Sequence, residues 1–287
     1  MIFISLIEFS KWTKEKRKLN NLEELKRDIL EQFKENNCLN KKIVAMVSGG
    51  KDSSTALALA LDLGLEVKYL VHFTHRWSWD ICKEEVMKLS DRFGIEVKFI
   101  DITEELLKRI KGAKPSSICR ICKNIMKDKA VDIAKREDSI ILTGDSALEK
   151  VSGAIMNYLR RKYGEVKYNK MELTKVPEKY NIFFFRPLIR LAYEDVLKLM
   201  KYYNLNIRRV HEVGDKKFWR EGCCLQYAKK LDEETFNKLY LYNKIATEVA
   251  REHNFRASVK YPPLEIITVP NKEEYKELIM KRLRELE

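Results

Sequence analysis

The chain has 287 residues, 45% hydrophobic and 34% charged, a balance that marks a globular protein and excludes a disordered one. Lys and Arg (56) exceed Asp and Glu (43) for a net charge of +13, which favours a polyanionic partner such as RNA and equally suits a solvated lysine-rich surface. No stretch reaches the roughly 18 apolar residues of a membrane span. The apolar start Met1–Phe9 meets Glu8 and Lys11 too early for a signal peptide. The expected location is therefore cytoplasmic, with no membrane partner. In that reducing setting six cysteines point to metal or catalytic use, not to a disulfide framework.

Leu22, Leu25, Ile29 and Phe33 recur at helical spacing behind Asn21, predicting an amphipathic helix over 22–33 with an asparagine cap. The apolar run Ile43–Val47 predicts a strand, and Ser54–Leu63 a helix ended by Gly64. The pattern then alternates: strand Val67–Phe73, helix Trp79–Phe93, strand Val97–Ile100, helix Glu104–Lys111, helix Asn124–Lys135, strand Ile140–Thr143, a helical stretch around Leu148–Arg160 and strand Ile182–Arg186. Five strands alternating with helices imply a parallel, doubly wound α/β sheet covered on both faces. Gly164–Lys179 reads as a polar surface excursion. Past Leu205 the rhythm changes, and helices Glu233–Arg251 and Lys272–Leu286 follow with no strong strand between them. The expected organisation is a helical extension (1–40), an α/β domain (41–205) and a mostly helical region (206–287). Helices 22–33 and 233–251 suit either the core or a second copy of the chain, so a homodimer is one expectation.

Ligands of parallel sheets sit at the C-terminal strand ends. There the first strand runs into Ser48-Gly49-Gly50-Lys51-Asp52-Ser53-Ser54. Paired glycines between a strand and a helix build a nest of backbone N–H groups at the positive end of the helix dipole, which binds phosphate. Lys51 adds a point charge, Ser53 and Ser54 add hydroxyl donors, and Asp52 can hold Mg²⁺ against phosphate oxygens. The GxxxxGK[ST] spacing of a Walker A loop is absent. The plain alternative is an ordinary Gly-Gly turn.

Cys119-Arg120-Ile121-Cys122 has the spacing that lets two thiolates reach one metal from a single turn, and Cys223-Cys224 follows about a hundred residues later. Four cysteines suit a structural zinc site only if both adjacent residues ligate one ion, and adjacent side chains usually diverge. Three thiolates, Cys119 and Cys122 with one of the later pair, suit an iron–sulfur cluster with one open iron. A dithiol relay or plain core thiols remain alternatives. Cys38 and Cys82 read as small buried hydrophobes.

The Ser48–Ser54 loop resembles the SGGxDS loop of the PP-loop ATP pyrophosphatases, which cleave ATP between the α and β phosphates. Thr143-Gly144-Asp145-Ser146 with Leu148–Ser152, Arg186-Pro187-Leu188-Ile189 with Glu194–Val196, and the CxxC with a distant third cysteine extend the likeness to the tRNA sulfurtransferase branch, the thiouridine and thiocytidine synthetases. That resemblance implies an adenine nucleotide alpha-hydrolase-like fold. ATP would be held by Ser48–Ser54, with adenine near Val71 and His72 and a second contact at Gly144 and Asp145. Lys51 and Asp52 would be catalytic, with Mg²⁺ on Asp52.

The resemblance further implies tRNA as partner, whose base carbonyl is adenylylated before sulfur displaces AMP. Sulfur would come from a sulfide or persulfide donor, carried either on a 4Fe–4S cluster at Cys119, Cys122, Cys223 and Cys224 or as a persulfide on Cys224 or Cys223. The Gly222-Cys223 step is similar to the sulfonucleotide reductases, a sister branch acting on adenylylated sulfate. RNA contacts are expected from Arg160-Arg161-Lys162-Tyr163 and from Lys216–Arg220. None of His72, His75, His211 and His253 is expected to serve as a base or metal ligand.

Overall fold

A computed structural model describes residues 7–165, 170–207, 211–213, 217–219 and 223–285. Met1–Leu6, Lys216, Arg220, Gly222 and Leu286, which figure among the sequence expectations, lie outside the described residues. The strands are β1 Ile43–Met46, β2 Val67–Thr74, β3 Val97–Asp101, β4 Ile140–Leu142, β5 Leu173–Thr174, β6 Phe184–Phe185, β7 His211–Val213, β8 Lys217–Trp219, β9 Arg256–Lys260 and β10 Glu265–Val269. The helices are α1 Lys11–Arg17, α2 Leu22–Glu35, α3 Lys51–Asp62, α4 Asp80–Phe93, α5 Thr103–Arg109, α6 Ile118–Glu137, α7 Lys150–Tyr163, α8 Tyr193–Tyr202, α9 Glu233–Glu252 and α10 Glu273–Arg284. The chain divides into two compact units, each drawn from three stretches: 1–72, 83–100 and 129–207 in the first, and 73–82, 101–128 and 208–287 in the second.

The principal sheet has the order β3-β2-β1-β4-β6-β5. β1 pairs in parallel with β2 and β4, and β4 in parallel with β6. Six strands replace the five read from sequence, because β5 adds an antiparallel edge to β6. It lies inside the segment expected to be a surface excursion. The strand order reverses beside β1, with β2 and β3 on one side and β4 and β6 on the other. In sheets of this order ligands bind outside the C-terminal ends of the strands beside the reversal, here β1 and β4.

The first unit's core explains its helices. Leu22, Leu25, Ile29 and Phe33 of α2 are all buried, and Asn21 caps the helix by accepting from the Glu24 N–H at 2.9 Å. The Phe33 ring meets Phe185 edge-on at 5.0 Å, so α2 belongs to the sheet's own core. A buried ionic group ties it further. Arg190, fully buried, pairs with Glu172 and with Asp28 of α2 (2.8 Å). Gln32 donates to Glu172 (2.9 Å) and accepts from the Leu173 N–H (3.0 Å), fixing the start of β5. Burying these charges is tolerable because each finds a partner.

The second unit has its own core of Ile245, Ala246, Val249, Ala250, Phe255, Val259, Ile279 and Leu283. The antiparallel hairpin β9–β10 lies between α9 and α10, where sequence reading gave no strong strand. Asn243 pins it, exchanging two 2.9 Å hydrogen bonds with the Val259 backbone. β7 and β8 pair antiparallel in a second small ribbon, and residues 217–219 of the expected RNA segment form one of its strands.

Candidate functional site

The loop leaving β1 is shorter than its sequence suggested. Gly49 takes φ 71°, a left-handed value natural only to glycine, and Gly50 is the N-cap of α3. The helix therefore starts at Lys51, not Ser54, and Lys51 and Asp52 stand on its first turn. No side chain caps that turn, so its leading N–H groups, which have no intrahelical acceptor, are left for a ligand. The hydroxyls of Ser53 and Ser54 both donate to the Gly50 carbonyl (3.2 and 2.9 Å), and Ser53 Oγ accepts from the Ser48 N–H at 3.1 Å. The loop is thus shaped by its own serines. Lys51 Nζ lies 2.5 Å from Asp52 Oδ1 and 4.6 Å from the centre of the Tyr193 ring.

The turn after β4 presses against that helix start. A Cβ on Gly144 would lie 2.6 Å from the Ser53 nitrogen and 2.7 Å from the Asp52 carbonyl carbon, so only glycine fits. Next to it, Asp145 accepts from the Thr143 hydroxyl (2.6 Å) and from Arg186 Nε (3.1 Å). Arg186 is buried and also donates to Thr174 Oγ1 (3.3 Å) and the Val176 carbonyl (2.9 Å). The two segments singled out separately in sequence, 143–146 and 186–189, are therefore one hydrogen-bonded element at these strand ends.

Val71 and His72 end the part of β2 that faces β1, and both are buried. The Val71 carbonyl accepts from the Val47 N–H at 2.9 Å. His72 Nδ1 sits 2.8 Å from the Val47 carbonyl, and its ring meets Phe99 edge-on. Burial pushes the His72 imidazole below its ordinary value despite that hydrogen bond. A neutral ring donating Nδ1–H to Val47 follows. Its visible role is to pin the strand end from which the loop departs.

Cys119, Cys122, Cys223 and Cys224 belong to the second unit. Pro115 opens a short turn and α6 begins at Ile118, six residues before the helix expected at Asn124. Cys119 and Cys122 consequently share a face of the first helical turn. Cys223 is exposed and Cys224 is buried. Cys224 Sγ lies 3.8 Å from the Trp77 carbonyl, which its S–H can reach. Among the described residues no group of three or more His, Cys, Asp or Glu side chains is arranged to hold a metal ion. Cys224 nonetheless hydrogen-bonds to Cys223, and the charge on Cys223 reaches Cys119 and Cys122, so the four expected ligands lie in one neighbourhood of this unit.

The fold also brings a histidine to them. His75, buried at the end of β2, places Nε2 3.4 Å from Cys223 Sγ, while its Nδ1 accepts from the Trp77 N–H at 3.2 Å. A hydrogen bond from Cys224, and after it His75, hold the Cys223 thiol well below the usual thiol range. Burial raises Cys119 and pushes Cys122 up to about 12, with the charge on Cys223 raising both further. Sequence reading gave His75 only a bland role as a surface or packed residue. The signal available was its position at the C-terminal end of a core strand, beside Trp77.

The basic residues Arg160, Arg161 and Lys162 end α7, and Tyr163 is exposed. Lys162 is partly engaged, reaching the Tyr158 hydroxyl at 2.9 Å and Glu178 at 3.7 Å. Among the described residues no helix is long and apolar enough to cross a membrane.

A glycine loop on an uncapped helix start, at the reversal point of a mostly parallel sheet, defines a PP-loop nucleotide-binding protein. Within that superfamily the chain belongs to the phosphoadenosine phosphosulfate reductase domain family, whose model matches residues 42–230. It is 68% identical to the uncharacterized protein MJ1016 of Methanocaldococcus jannaschii, over 98% of this chain and 99% of that one. Among solved structures it is similar to NMN synthetase from Francisella tularensis (16% identity, TM-score 0.47, 64% of this chain and 71% of that chain). It is also similar to the NH3-dependent NAD synthetase of Campylobacter jejuni (20%, 0.46, 64% and 73%). No ligand or reaction is carried over from either.

Proposed function

We propose that the chain binds ATP on the 48–54 loop, transfers the adenylyl group to a carbonyl oxygen of a tRNA base, and replaces the AMP with sulfur. The observation that carries this reading is the first turn of α3, where open N–H groups, Lys51 and Asp52 converge. The triphosphate tail would lie on those N–H groups, with Gly144 and Asp145 closing the other side. The base oxygen attacks the α-phosphorus, the bond to the β-phosphate oxygen breaks, and pyrophosphate leaves. Lys51 would exchange Asp52 for the departing pyrophosphate, whose charge it stabilises. The Asp52 carboxylate, on the solvent side of the turn, suits Mg²⁺, which when bound neutralises phosphate charge. RNA as acceptor is supported by the net charge of +13 and by the basic end of α7.

The test is pyrophosphate release with and without bulk tRNA, followed by mass analysis of the nucleosides. RNA-stimulated release and a base heavier by the oxygen-to-sulfur exchange are expected. Release that ignores RNA, with unmodified nucleosides, refutes the reading. A second reading is favoured by the family model, which spans both the loop and Cys223: a sulfonucleotide reductase-like enzyme acting on a small adenylylated sulfate. It predicts sulfite formation that needs an external thiol and no RNA.

A further inference from the structure

Lys51 has a task for which its side chain is poorly built: a flexible stem must keep a point charge where a phosphate will arrive. We infer that Tyr193 is the positioning residue of Lys51, its ring face holding the ammonium at the start of α3 while Asp52 is exchanged for phosphate. This role rests on the proposed binding of ATP at the 48–54 loop. Lys51 Nζ lies 4.6 Å from the centre of the Tyr193 ring and 2.5 Å from Asp52 Oδ1, within the range of a cation–π contact. The Lys51 side chain is 14% exposed, against 39% for Asp52. The ammonium is thus the more shielded half of the pair, and shielding strengthens its attraction to a ring. Asp52 takes a hydrogen bond from the ammonium, whereas the ring attracts the charge as a whole. A phosphate oxygen can therefore replace Asp52 without loosening the hold of Tyr193.

The ring can do this only on a fixed backbone, and that backbone is clamped on both sides. Tyr193 is the first residue of α8, whose N-cap Ala192 supplies no side-chain cap. The clamp comes from α1. Asp195, fully buried in the first turn of α8, accepts from the Ser10 N–H (2.6 Å), the Ser10 hydroxyl (2.9 Å) and the Thr13 hydroxyl. Thr13 Oγ1 accepts in turn from the Ala192 N–H at 3.3 Å. Before Tyr193, the Leu191 carbonyl accepts from the Ala147 N–H at 3.2 Å. The Ala147 carbonyl accepts from Arg17, buried at the end of α1, at 3.1 Å. A helix that precedes the family match at Lys42 thus ties the turn after β4 to the head of α8. Tyrosine has few side-chain torsions to lose, so a fixed backbone here means a fixed ring.

Two variants separate the ring face from mere bulk. Tyr193→Phe keeps the face and drops the hydroxyl; Tyr193→Leu covers the Lys51 stem and has no face. The first measurement is acetic anhydride labelling of the full chain without ATP or RNA, read by peptide mass mapping. Losing the ring lets the Lys51 amine swing out to solvent, so it should acetylate about fivefold faster in Tyr193→Leu, with Tyr193→Phe labelling like wild type. The second is pyrophosphate release with ATP and bulk tRNA. Tyr193→Leu should lower kcat about fivefold and hold the KM for ATP to about a twofold change, because Lys51 meets charge that develops as pyrophosphate leaves. Tyr193→Phe should restore most of the lost rate. Equal Lys51 labelling in wild type and Tyr193→Leu overturns the inference, and so does an unchanged kcat in Tyr193→Leu. It is also overturned if Tyr193→Phe is as slow as Tyr193→Leu while both unfold at the wild-type urea concentration. A wild-type chain that releases no pyrophosphate refutes the proposed reaction instead, and the labelling still decides whether Tyr193 holds Lys51.

Discussion

Replacing Gly144 by alanine would add a methyl group 2.6 Å from the Ser53 nitrogen, 2.7 Å from the Asp52 carbonyl carbon and 2.8 Å from Ser53 Cα. All three are backbone atoms of the first turn of α3, so no side chain can swing aside. Relief requires the β4 turn and the helix start to separate by about 1 Å, since ordinary carbon contacts lie near 3.5 Å or beyond. Overpacking of this kind costs roughly 1–3 kcal/mol, and a 1 Å displacement at a reacting centre can cost about a hundredfold in rate. Gly153 supplies the internal control, because a Cβ there meets nothing within 4 Å and glycine inside a helix costs about 0.5–1 kcal/mol relative to alanine. Urea unfolding and ATP titration of both variants make the assay. Gly144→Ala should lose stability and bind ATP at least tenfold more weakly, while Gly153→Ala should gain stability and bind normally. ATP affinity of Gly144→Ala within twofold of wild type would show that the strand ends of β1 and β4 are not where the nucleotide lies.

Asp52→Asn should unfold at the same urea concentration as wild type yet release pyrophosphate about a hundredfold more slowly, the usual scale for losing one charge-stabilising group. Because burial lowers the folded-state pKa of His72, the neutral ring stabilises the fold fully above its unfolded value, about 6.5. That part is lost as pH falls from there through the folded pKa. His72→Asn, which keeps a donor for the Val47 carbonyl, should therefore flatten the fall in unfolding midpoint between about pH 7 and pH 5. Changing Arg160, Arg161 and Lys162 together to alanine should weaken tRNA binding and reduce its salt slope by up to about 3, measured by filter binding across salt concentrations.

The strands of the main sheet were legible because each buried run is apolar and bounded by glycine or polar residues, as at Ile43–Val47 and Gly64. The glycine loop carried its own meaning, since its residue types have few other uses in that order. β5 was not legible: two residues, Leu173 and Thr174, owe their conformation to pairing with β6 and to Gln32, neither of which local pattern reveals. The start of α6 was missed because Ile and Cys are indifferent helix formers, and a proline at 115 marks the entry only once the turn is known. The starting point of α3 was misplaced by three residues, since Gly50 caps by backbone alone. His75 shows the hardest limit. Its pairing with Cys223 joins residues 148 apart in sequence, and no spacing rule reaches that far.

Sequence kinship with the reductase-domain family begins at Lys42, but folding does not. A chain trimmed to start there would discard Phe33, which covers Phe185, and would strip Arg190 of Asp28 and Leu173 of Gln32. One face of the sheet would then lie bare to water, above a guanidinium left with half its counter-charge. The stretch matched by the family model is shorter than the stretch that must be synthesised for any of it to stand.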